Sequence, residues 1–274
     1  MGCLLIVGDG PQVRALAEHP LLAAHDILMS RCSVEALRHA RTTPIDVLLT
    51  DPATPVEEDL ELIEEMRRIR GDIRTIALAS AFSSDELIEA LRAKVFACFS
   101  APFDVTEIAE MVRSAFAASD DGIEVLSGLP NWLTLRVACR LVTADRLTRF
   151  LTELRGDLPS DERDLLMTAF REVLLNAMEH GAGFDPSKVI QVTAARTARA
   201  IVFHFRDPGD GFDRRELQHA AMSCSPESVM AATIHRAETG LRPGGFGMLI
   251  VRQVVDELVY NEQGNEVIMI KHTA

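Results

Sequence analysis

The first 118 residues alternate short apolar runs with segments whose apolar residues recur at helical spacing. The apolar runs predict five β-strands, at residues 3–7, 26–29, 45–50, 73–79 and 95–99. The segments between and after them predict helices near residues 11–19, 33–41, 56–70, 83–93 and 104–118, with Ser33 and Asp104 as N-caps. Strands that are apolar almost throughout, with helices between them, predict an α/β domain with a doubly wound, parallel five-stranded sheet.

The second half of the chain orders its elements differently. Its apolar patterns predict strands at residues 132–138, 189–194, 201–206 and 267–271. They predict helices at 144–154, 161–180 and 246–258, with Thr143 and Ser160 as caps. Because helices and strands do not alternate strictly, we predict an α+β sandwich with a mixed sheet. Small, polar, Gly- and Pro-containing residues separate the halves, which predicts domains at 1–118 and 131–274 joined by a linker at 119–130.

The charge of the chain excludes one broad class of function. Its 41 acidic and 28 basic residues give a net charge of −13, so no cationic excess is available to neutralise nucleic-acid phosphates. The five cysteines have no CxxC spacing, which argues against a zinc site or a disulfide framework. Neither a membrane-length apolar run nor a signal-peptide pattern is present, so we expect a cytoplasmic protein that binds neither nucleic acid nor membranes.

Polar residues follow several strands of the predicted parallel sheet. Asp9 follows the first strand, Asp51 the third and Ser80 the fourth, while Ala101 follows the fifth. Ligands of such sheets bind beyond the carboxyl ends of the strands, where two carboxylates and a hydroxyl provide oxygen ligands for Mg2+.

This arrangement resembles the receiver domain of response regulators, a flavodoxin-like fold. The resemblance implies that Asp51 is the phosphoacceptor, that Asp9 and Asp51 bind Mg2+, and that Ser80 is the switch hydroxyl. Two positions depart from the family pattern, because Gly8 replaces an acid and Ala101 replaces a lysine that pairs with the phosphoryl group. Two interpretations therefore stay open, a phosphate-switched receiver and a receiver-like docking domain that phosphate no longer controls.

A second group of polar and glycine residues lies in the other half. Glu172, Asn176 and His180 are spaced four residues apart, which places them on one strip of a helix. Two glycine clusters follow, where backbone can approach a ligand closely or bind an anion at a helix start. Their candidate binding residues are Asp207, Gly209, Gly211, Gly244, Gly245, Phe246 and Gly247. This order of an acid, an amide and two glycine loops suggests a site for a nucleotide and magnesium.

The order and spacing resemble the N, G1 and G2 boxes of the GHKL ATPases, which have the Bergerat-type fold, and above all their anti-sigma-factor serine kinases. The resemblance implies that Asn176 binds the Mg2+ of Mg-ATP and that Asp207 reads the adenine amino group. It assigns Glu172 to activating the hydroxyl acceptor or the water. For His180, hydrogen bonding at the helix end and proton transfer are the alternatives. Residues 212–243 match the ATP lid of the family, with Arg236 and Arg242 as candidate phosphate contacts.

The two resemblances together imply a receiver-regulated, ATP-dependent serine/threonine kinase. Its implied substrate is an antagonist (anti-anti-sigma-like) protein, whose phosphorylation controls a sigma factor or an analogous regulator. A cognate sensor kinase and a second copy of the chain, forming a homodimer, are the further partners considered. Two alternatives stay open: a non-catalytic partner-switching module that binds ATP beside a degenerate receiver, and an ATPase without a protein acceptor.

Overall fold

The computed structural model describes residues 2–118, 122–211 and 247–273. The chain divides into two compact units. The first comprises Met1–Asp121 together with Arg149–Arg155, and the second comprises Gly122–Thr148 and Gly156–Ala274.

The first unit is built on a parallel sheet with the order β2-β1-β3-β4-β5. Its strands are β1 (Cys3–Val7), β2 (Asp26–Ser30), β3 (Val47–Leu49), β4 (Arg74–Ala79) and β5 (Ala97–Ser100). Every residue of β1 and β3 is buried, as expected for central strands that helices cover on both faces. This order is one of the two common doubly wound arrangements, so the predicted α/β fold is confirmed.

Five α-helices connect or follow these strands. They are α1 (Pro11–Ala17), α2 (Ser33–Thr42), α3 (Val56–Ile69), α4 (Ser84–Arg92) and α5 (Val105–Ala117). Asp104 caps α5 by accepting hydrogen bonds from the backbone N–H groups of Thr106 and Glu107, which confirms the predicted cap. Ser33 is instead the first residue of α2, and Cys32 precedes it without a side-chain cap.

The first unit also includes Arg149–Arg155. The guanidinium of Arg149 lies 4.4 Å from the ring centroid of Phe99, and its Nη1 lies 3.0 Å from an Oε1 of Glu107. Glu153 completes this charged cluster through an ion pair with Arg149 and by accepting a hydrogen bond from the Ser100 N–H.

The second unit contains a six-stranded sheet with the order β10-β11-β9-β8-β7-β6. Its strands are β6 (Ile123–Leu129), β7 (Trp132–Ala138), β8 (Val189–Arg196), β9 (Ala200–Arg206), β10 (Glu257–Tyr260) and β11 (Glu266–His272). All five pairings are antiparallel, so the prediction of a mixed sheet was wrong. Three of the pairs are consecutive strands joined by short turns, which reverse the chain direction.

Helices supply the other layer of this unit. They are α7 (Ser160–Asn176) and α8 (Gly247–Val254), which pack against each other, and the first part of α6 (Leu141–Leu154), whose residues from Arg149 onward are assigned to the first unit. The ring of Phe170 on α7 lies 4.9 Å from the ring of Phe203 and 5.1 Å from that of Phe205, both on β9. Alternate residues of the strands thus face the helices, which is the pattern of a two-layer α+β sandwich.

Several predicted element boundaries of the second half were wrong. Residues 123–129 form the edge strand β6, although we predicted them within the linker. The predicted helix over 246–258 ends at Val254, and β10 follows it. The predicted caps also differ, because α6 begins two residues before Thr143 and Ser160 is the first residue of α7. The two missed strands share a cause, since pairing with β7 and β11 stabilises short segments whose own pattern is weak.

Candidate functional sites

Glu172 and Asn176 lie on the last turns of α7, one helical turn apart. Both are partly exposed, whereas Phe170, Val173 and Leu174 on the same helix are buried. The helix is therefore amphipathic as predicted: its apolar side packs into the unit, and a strip with one carboxylate and one carboxamide stays accessible.

Directly after Asn176, the helix widens into a π-helical turn, Ala177–Gly181. The hydrogen bonds of such a turn span one residue more than those of an α-helix, and single π turns frequently occur at functional sites. His180 and Gly181 therefore both lie about one turn beyond Asn176. His180 is exposed, while Glu179 is buried. The role of His180 in the candidate site stays a prediction.

The π turn ends against Asp207, the residue that follows β9. A Cβ atom added at Gly181 would lie 2.5 Å from the Asp207 Cβ and would collide with the carboxyl group. A Cβ added at Gly209 would lie 2.7 Å from the Gly181 carbonyl oxygen. Two segments that are far apart in sequence thus meet in a contact that only glycine allows at both positions.

The Asp207 carboxyl group is half-buried in this contact. Burial raises its pKa above the ordinary value, and the hydrogen bond from the Gly209 N–H acts in the opposite direction. That N–H lies 2.9 Å from Asp207 Oδ1. Within residues 2–118, 122–211 and 247–273, Asp207 Oδ2 accepts no hydrogen bond. The site thus holds a carboxylate oxygen that can accept a hydrogen bond from a ligand.

Gly211 adopts a left-handed conformation, with φ of +81°, and a Cβ there would lie 2.7 Å from the carbonyl carbon of Gln263. Positive φ is therefore a reason for glycine at Gly211, as predicted. For Gly209 the reason is different, because it is not among the glycines with positive φ in the described part of the chain, which are Gly8, Gly122, Gly183, Gly211 and Gly264.

Gly247 begins α8 and lies beside Glu172. A Cβ at Gly247 would lie 2.9 Å from the Glu172 carboxyl carbon, so the acid of α7 and the start of α8 are in contact. The other members of the second glycine cluster fall outside the described residues, as do the predicted lid at 212–243 and its two arginines. These are Gly244, Gly245, Phe246, Arg236 and Arg242.

In the first unit, Asp51 follows β3 and lies directly beside Gly8, which follows β1. Gly8 has φ of +95°, and a Cβ there would lie 2.9 Å from the Asp51 Cβ and would collide with Oδ2. Asp51 Oδ1 accepts a hydrogen bond of 3.0 Å from the Ala53 N–H. The Asp51 carboxylate therefore occupies the space that a side chain at position 8 would need.

The other predicted receiver residues lie where the strand order requires. Strands β1, β3, β4 and β5 are neighbours in that order, so Asp9, Asp51, Ser80 and Ala101 follow strand ends at the same edge of the sheet. Asp9 is exposed and forms a 3.6 Å ion pair with Arg14, and Ser80 is also exposed. Among the described residues, no three His, Cys, Asp or Glu side chains form a metal-binding group. Metal binding by Asp9 and Asp51 thus stays a prediction.

A buried acid near Asp51 escaped the sequence analysis. Asp59 on α3 is 3% exposed and hydrogen-bonds to the Thr50 hydroxyl, whose oxygen accepts the Leu78 N–H at 3.1 Å. Burial, reinforced by the charges of Asp51 and Glu58, raises the Asp59 pKa to about 7 although the Thr50 hydrogen bond lowers it. In the sequence, the only sign that Asp59 is buried is its position in the helical repeat, on the side of α3 that faces the core.

Comparisons with known proteins match each half separately. Residues 137–271 match the family model of the histidine kinase-like ATPase domain. The chain is 32% identical over 113 residues to the response regulator protein PilR of Pseudomonas aeruginosa, a match that covers 40% of this chain and 25% of that protein. The chain thus spans about a quarter of the length of this curated relative.

Two similar solved structures are receivers or response regulators. A CheY-like receiver domain protein from Methanospirillum hungatei is 18% identical, with a TM-score of 0.39 over 43% of this chain and 94% of that one. A response regulator from Thermotoga maritima is 21% identical, with a TM-score of 0.38 over 43% of this chain and 100% of that one.

No helix in the described ranges is both long and apolar enough to cross a membrane. The antiparallel sheet with its helical layer agrees with the family model for the second half, and the parallel sheet agrees with the sequence match for the first. The chain is therefore similar in part to a response regulator and, over residues 137–271, to the histidine kinase-like ATPase domain.

Proposed function

We propose that the second unit binds Mg-ATP and transfers its γ-phosphoryl group to a Ser or Thr hydroxyl of an antagonist protein. In this proposal Asp207 accepts a hydrogen bond from the adenine amino group and Asn176 provides an oxygen ligand to Mg2+. Gly247, with Gly244, Gly245 and Phe246, forms the phosphate-binding segment at the start of α8. The family model of a histidine kinase-like ATPase domain supports the ATP-binding part of the proposal.

The observation that carries this proposal is the contact between Asp207 and the glycines at 181 and 209. These glycines bring backbone to within contact distance of a half-buried carboxylate and leave one carboxylate oxygen available. A planar base with an amino group fits this site. A half-buried carboxylate favours a ligand that donates a hydrogen bond to it over one that does not, because the unpaired carboxylate would lose its hydrogen bonds to water.

The proposed catalytic residue is Glu172. One of its carboxylate oxygens takes the proton from the acceptor hydroxyl as the hydroxyl oxygen bonds to the γ-phosphorus; the bond from that phosphorus to the β–γ bridging oxygen breaks, and ADP leaves. The contact between Glu172 and Gly247 supports this role, because it places the acid beside the segment proposed to hold the phosphates. Bound Mg2+ would supply neutralisation of the charge on the transferring group, and the protein would supply positioning. His180 is exposed, which favours hydrogen bonding at the helix end over proton transfer.

We propose a signalling role in which the receiver domain regulates this kinase. The phosphorylated antagonist would then release or capture a sigma factor or an analogous regulator, and a cognate sensor kinase or a protein bound to the receiver surface would supply the input. The proposed test compares the phosphorylation rate of an isolated partner by the wild type and by Asp51→Ala. Equal rates would assign the receiver domain to tethering or localisation.

The second candidate is a partner-switching module that binds ATP without consuming it, beside a degenerate receiver. The surroundings of Asp51 favour it, because Gly8 cannot be replaced by the usual acid without a collision and Ala101 offers no charge to a phosphoryl group. Incubation with γ-labelled ATP and partners captured from the source cells separates the candidates. Label on a partner Ser or Thr supports the kinase, whereas bound, unconsumed ATP supports the switch.

A further inference from the structure

A tight turn that the sequence analysis did not identify holds the loop after β9. It connects β10 to β11 and comprises residues 261–265. Since Arg206 at the end of β9 pairs with Glu266 at the start of β11, this turn lies beside the loop 207–211 that follows β9. The Asp207 N–H donates a 3.0 Å hydrogen bond to the Asn265 carbonyl oxygen, so the turn and the loop are joined through backbone as well.

Asn261 organises the turn from within. Its Oδ1 accepts hydrogen bonds from three backbone N–H groups, those of Gly264 at 2.7 Å, Asn265 at 3.1 Å and Glu266 at 3.2 Å. Asn261 thus accepts from three consecutive backbone N–H groups, as Asn commonly does in turns. Gly264 has φ of +82°, which lets the chain reverse within this short span.

A relay of side-chain amides leads from the turn to the loop. Asn261 Nδ2 donates to Asn265 Oδ1 at 2.8 Å, and Asn265 Nδ2 donates to the Gly209 carbonyl oxygen at 3.3 Å. Gln263 Nε2 donates to the Asp210 carbonyl oxygen at 3.4 Å, and Gly211 packs against the Gln263 backbone. Three consecutive residues of the loop are therefore held by the turn, and Gly209 is the residue whose N–H orients the Asp207 carboxylate.

We infer that Asn261 and Asn265 are positioning residues for nucleotide recognition, which fix Gly209 and so aim the Asp207 carboxylate at the base. This inference rests on the proposed binding of ATP at Asp207. Neither amide is assigned a contact with the nucleotide, and both act through the loop. The consequence is specific: losing the relay weakens recognition of the adenine and leaves recognition of the phosphates unchanged.

Asn265→Ala removes the donor to Gly209 but keeps the backbone bond to Asp207. Asn261→Asp keeps the oxygens that accept from the turn, but replaces the amide donor of the relay by a carboxylate that competes with Gly209 for the Asn265 amide. Both variants should raise the Kd for ATP about three- to tenfold, which is the range for one lost hydrogen bond. The affinity for inorganic tripolyphosphate should stay unchanged. Asn131→Ala is the matched control, because Asn131 is an exposed asparagine in the turn between β6 and β7.

The experiment is calorimetric titration of the full chain with Mg-ATP, Mg-GTP and magnesium tripolyphosphate, with a thermal melt of each variant. A higher Kd for ATP, a lower preference for ATP over GTP and an unchanged Kd for tripolyphosphate support the inference. An equal rise in the Kd for all three ligands would overturn the inference, since it would report a general loss of structure. An unchanged Kd for ATP would also overturn it. If the wild-type chain binds tripolyphosphate but shows no preference for ATP over GTP, the proposed adenine site fails and the inference fails with it. If the wild-type chain binds no nucleotide, both the proposed ATP binding and the inference are overturned.

Discussion

The carboxyl group of Asp207 lies against the α-carbon of Gly181, with the Asp207 Cβ only 2.5 Å from the place that a side chain at 181 would occupy. This contact joins the end of the helix that carries Glu172 and Asn176 to the loop that carries Gly209 and Gly211. Two sequence motifs separated by a hairpin of strands thus form one wall of the candidate nucleotide site.

The contact predicts the effect of Gly181→Ala. The added methyl group would push Asp207 away, which should lower the free energy of unfolding by about 1–3 kcal/mol, as other overpacked positions do. It should also weaken ATP binding. Urea unfolding and calorimetry measure the two effects. Gly71→Ala is the control, because the nearest atom to a Cβ there is 4.0 Å away. Unchanged stability and affinity in Gly181→Ala would contradict the close approach.

The buried acid Asp59 predicts a pH dependence of stability. Its pKa is about 7 in the folded protein, against an ordinary value near 3.8, so the folded state binds more protons than the unfolded state between these values. The free energy of unfolding should therefore decrease as the pH rises from about 4 to about 7, by at most roughly 4 kcal/mol from this group. Asp59→Asn, which mimics the protonated acid, should remove this component.

The measurement is the difference in unfolding free energy between the wild type and Asp59→Asn, by denaturant titration at a series of pH values from about 4 to about 8. We expect the stability of the variant relative to the wild type to increase with pH. A difference that does not change with pH would show that Asp59 is ionised in the folded protein.

Acetyl phosphate should label Asp51 weakly or transiently. Gly8 provides no acid for a metal ion, and Ala101 provides no cation for the phosphoryl group. Ala101→Lys should increase the labelled fraction, because a charge-assisted contact contributes about 1.5–3 kcal/mol, which corresponds to roughly tenfold or more. Ala101→Gln serves as the control of similar length without charge. Intact-mass spectrometry reads the result, and stable stoichiometric labelling of the wild type would contradict the prediction.

The sequence alone predicted those elements whose own residues indicate their structure. Strand β1 was predicted with its observed bounds because all of its residues are apolar and buried. Strand β6 was missed because exposed positions interrupt it and it depends on pairing with β7. Strand β10 was missed because its four residues directly follow the apolar helix α8. In both cases the residues that stabilise the strand by pairing with it lie in another segment of the chain.

The candidate site was predictable in its composition but not in its contacts. The acid, the amide and the glycines stand out in the sequence because few structures need those residue types in that order. The packing of Asp207 against Gly181 depends on the π turn. The hydrogen bond from Asn265 to Gly209 depends on the register of β9 with β11. Neither leaves a local pattern, so the sequence did not reveal these contacts or the part that Asn261 plays in the turn.

In the proposed nucleotide site, Asp207 accepts a hydrogen bond from the adenine amino group of a bound Mg-ATP. Calorimetric titration of the full chain with Mg-ATP, for the wild type and for Asp207→Asn, tests it most directly. We expect saturable binding by the wild type and a loss of roughly 1–3 kcal/mol of binding free energy in Asp207→Asn, because the single amide oxygen that accepts from the Gly209 N–H leaves no acceptor for the adenine amino group. Absence of binding at millimolar Mg-ATP, or equal affinities of the two proteins, would contradict it.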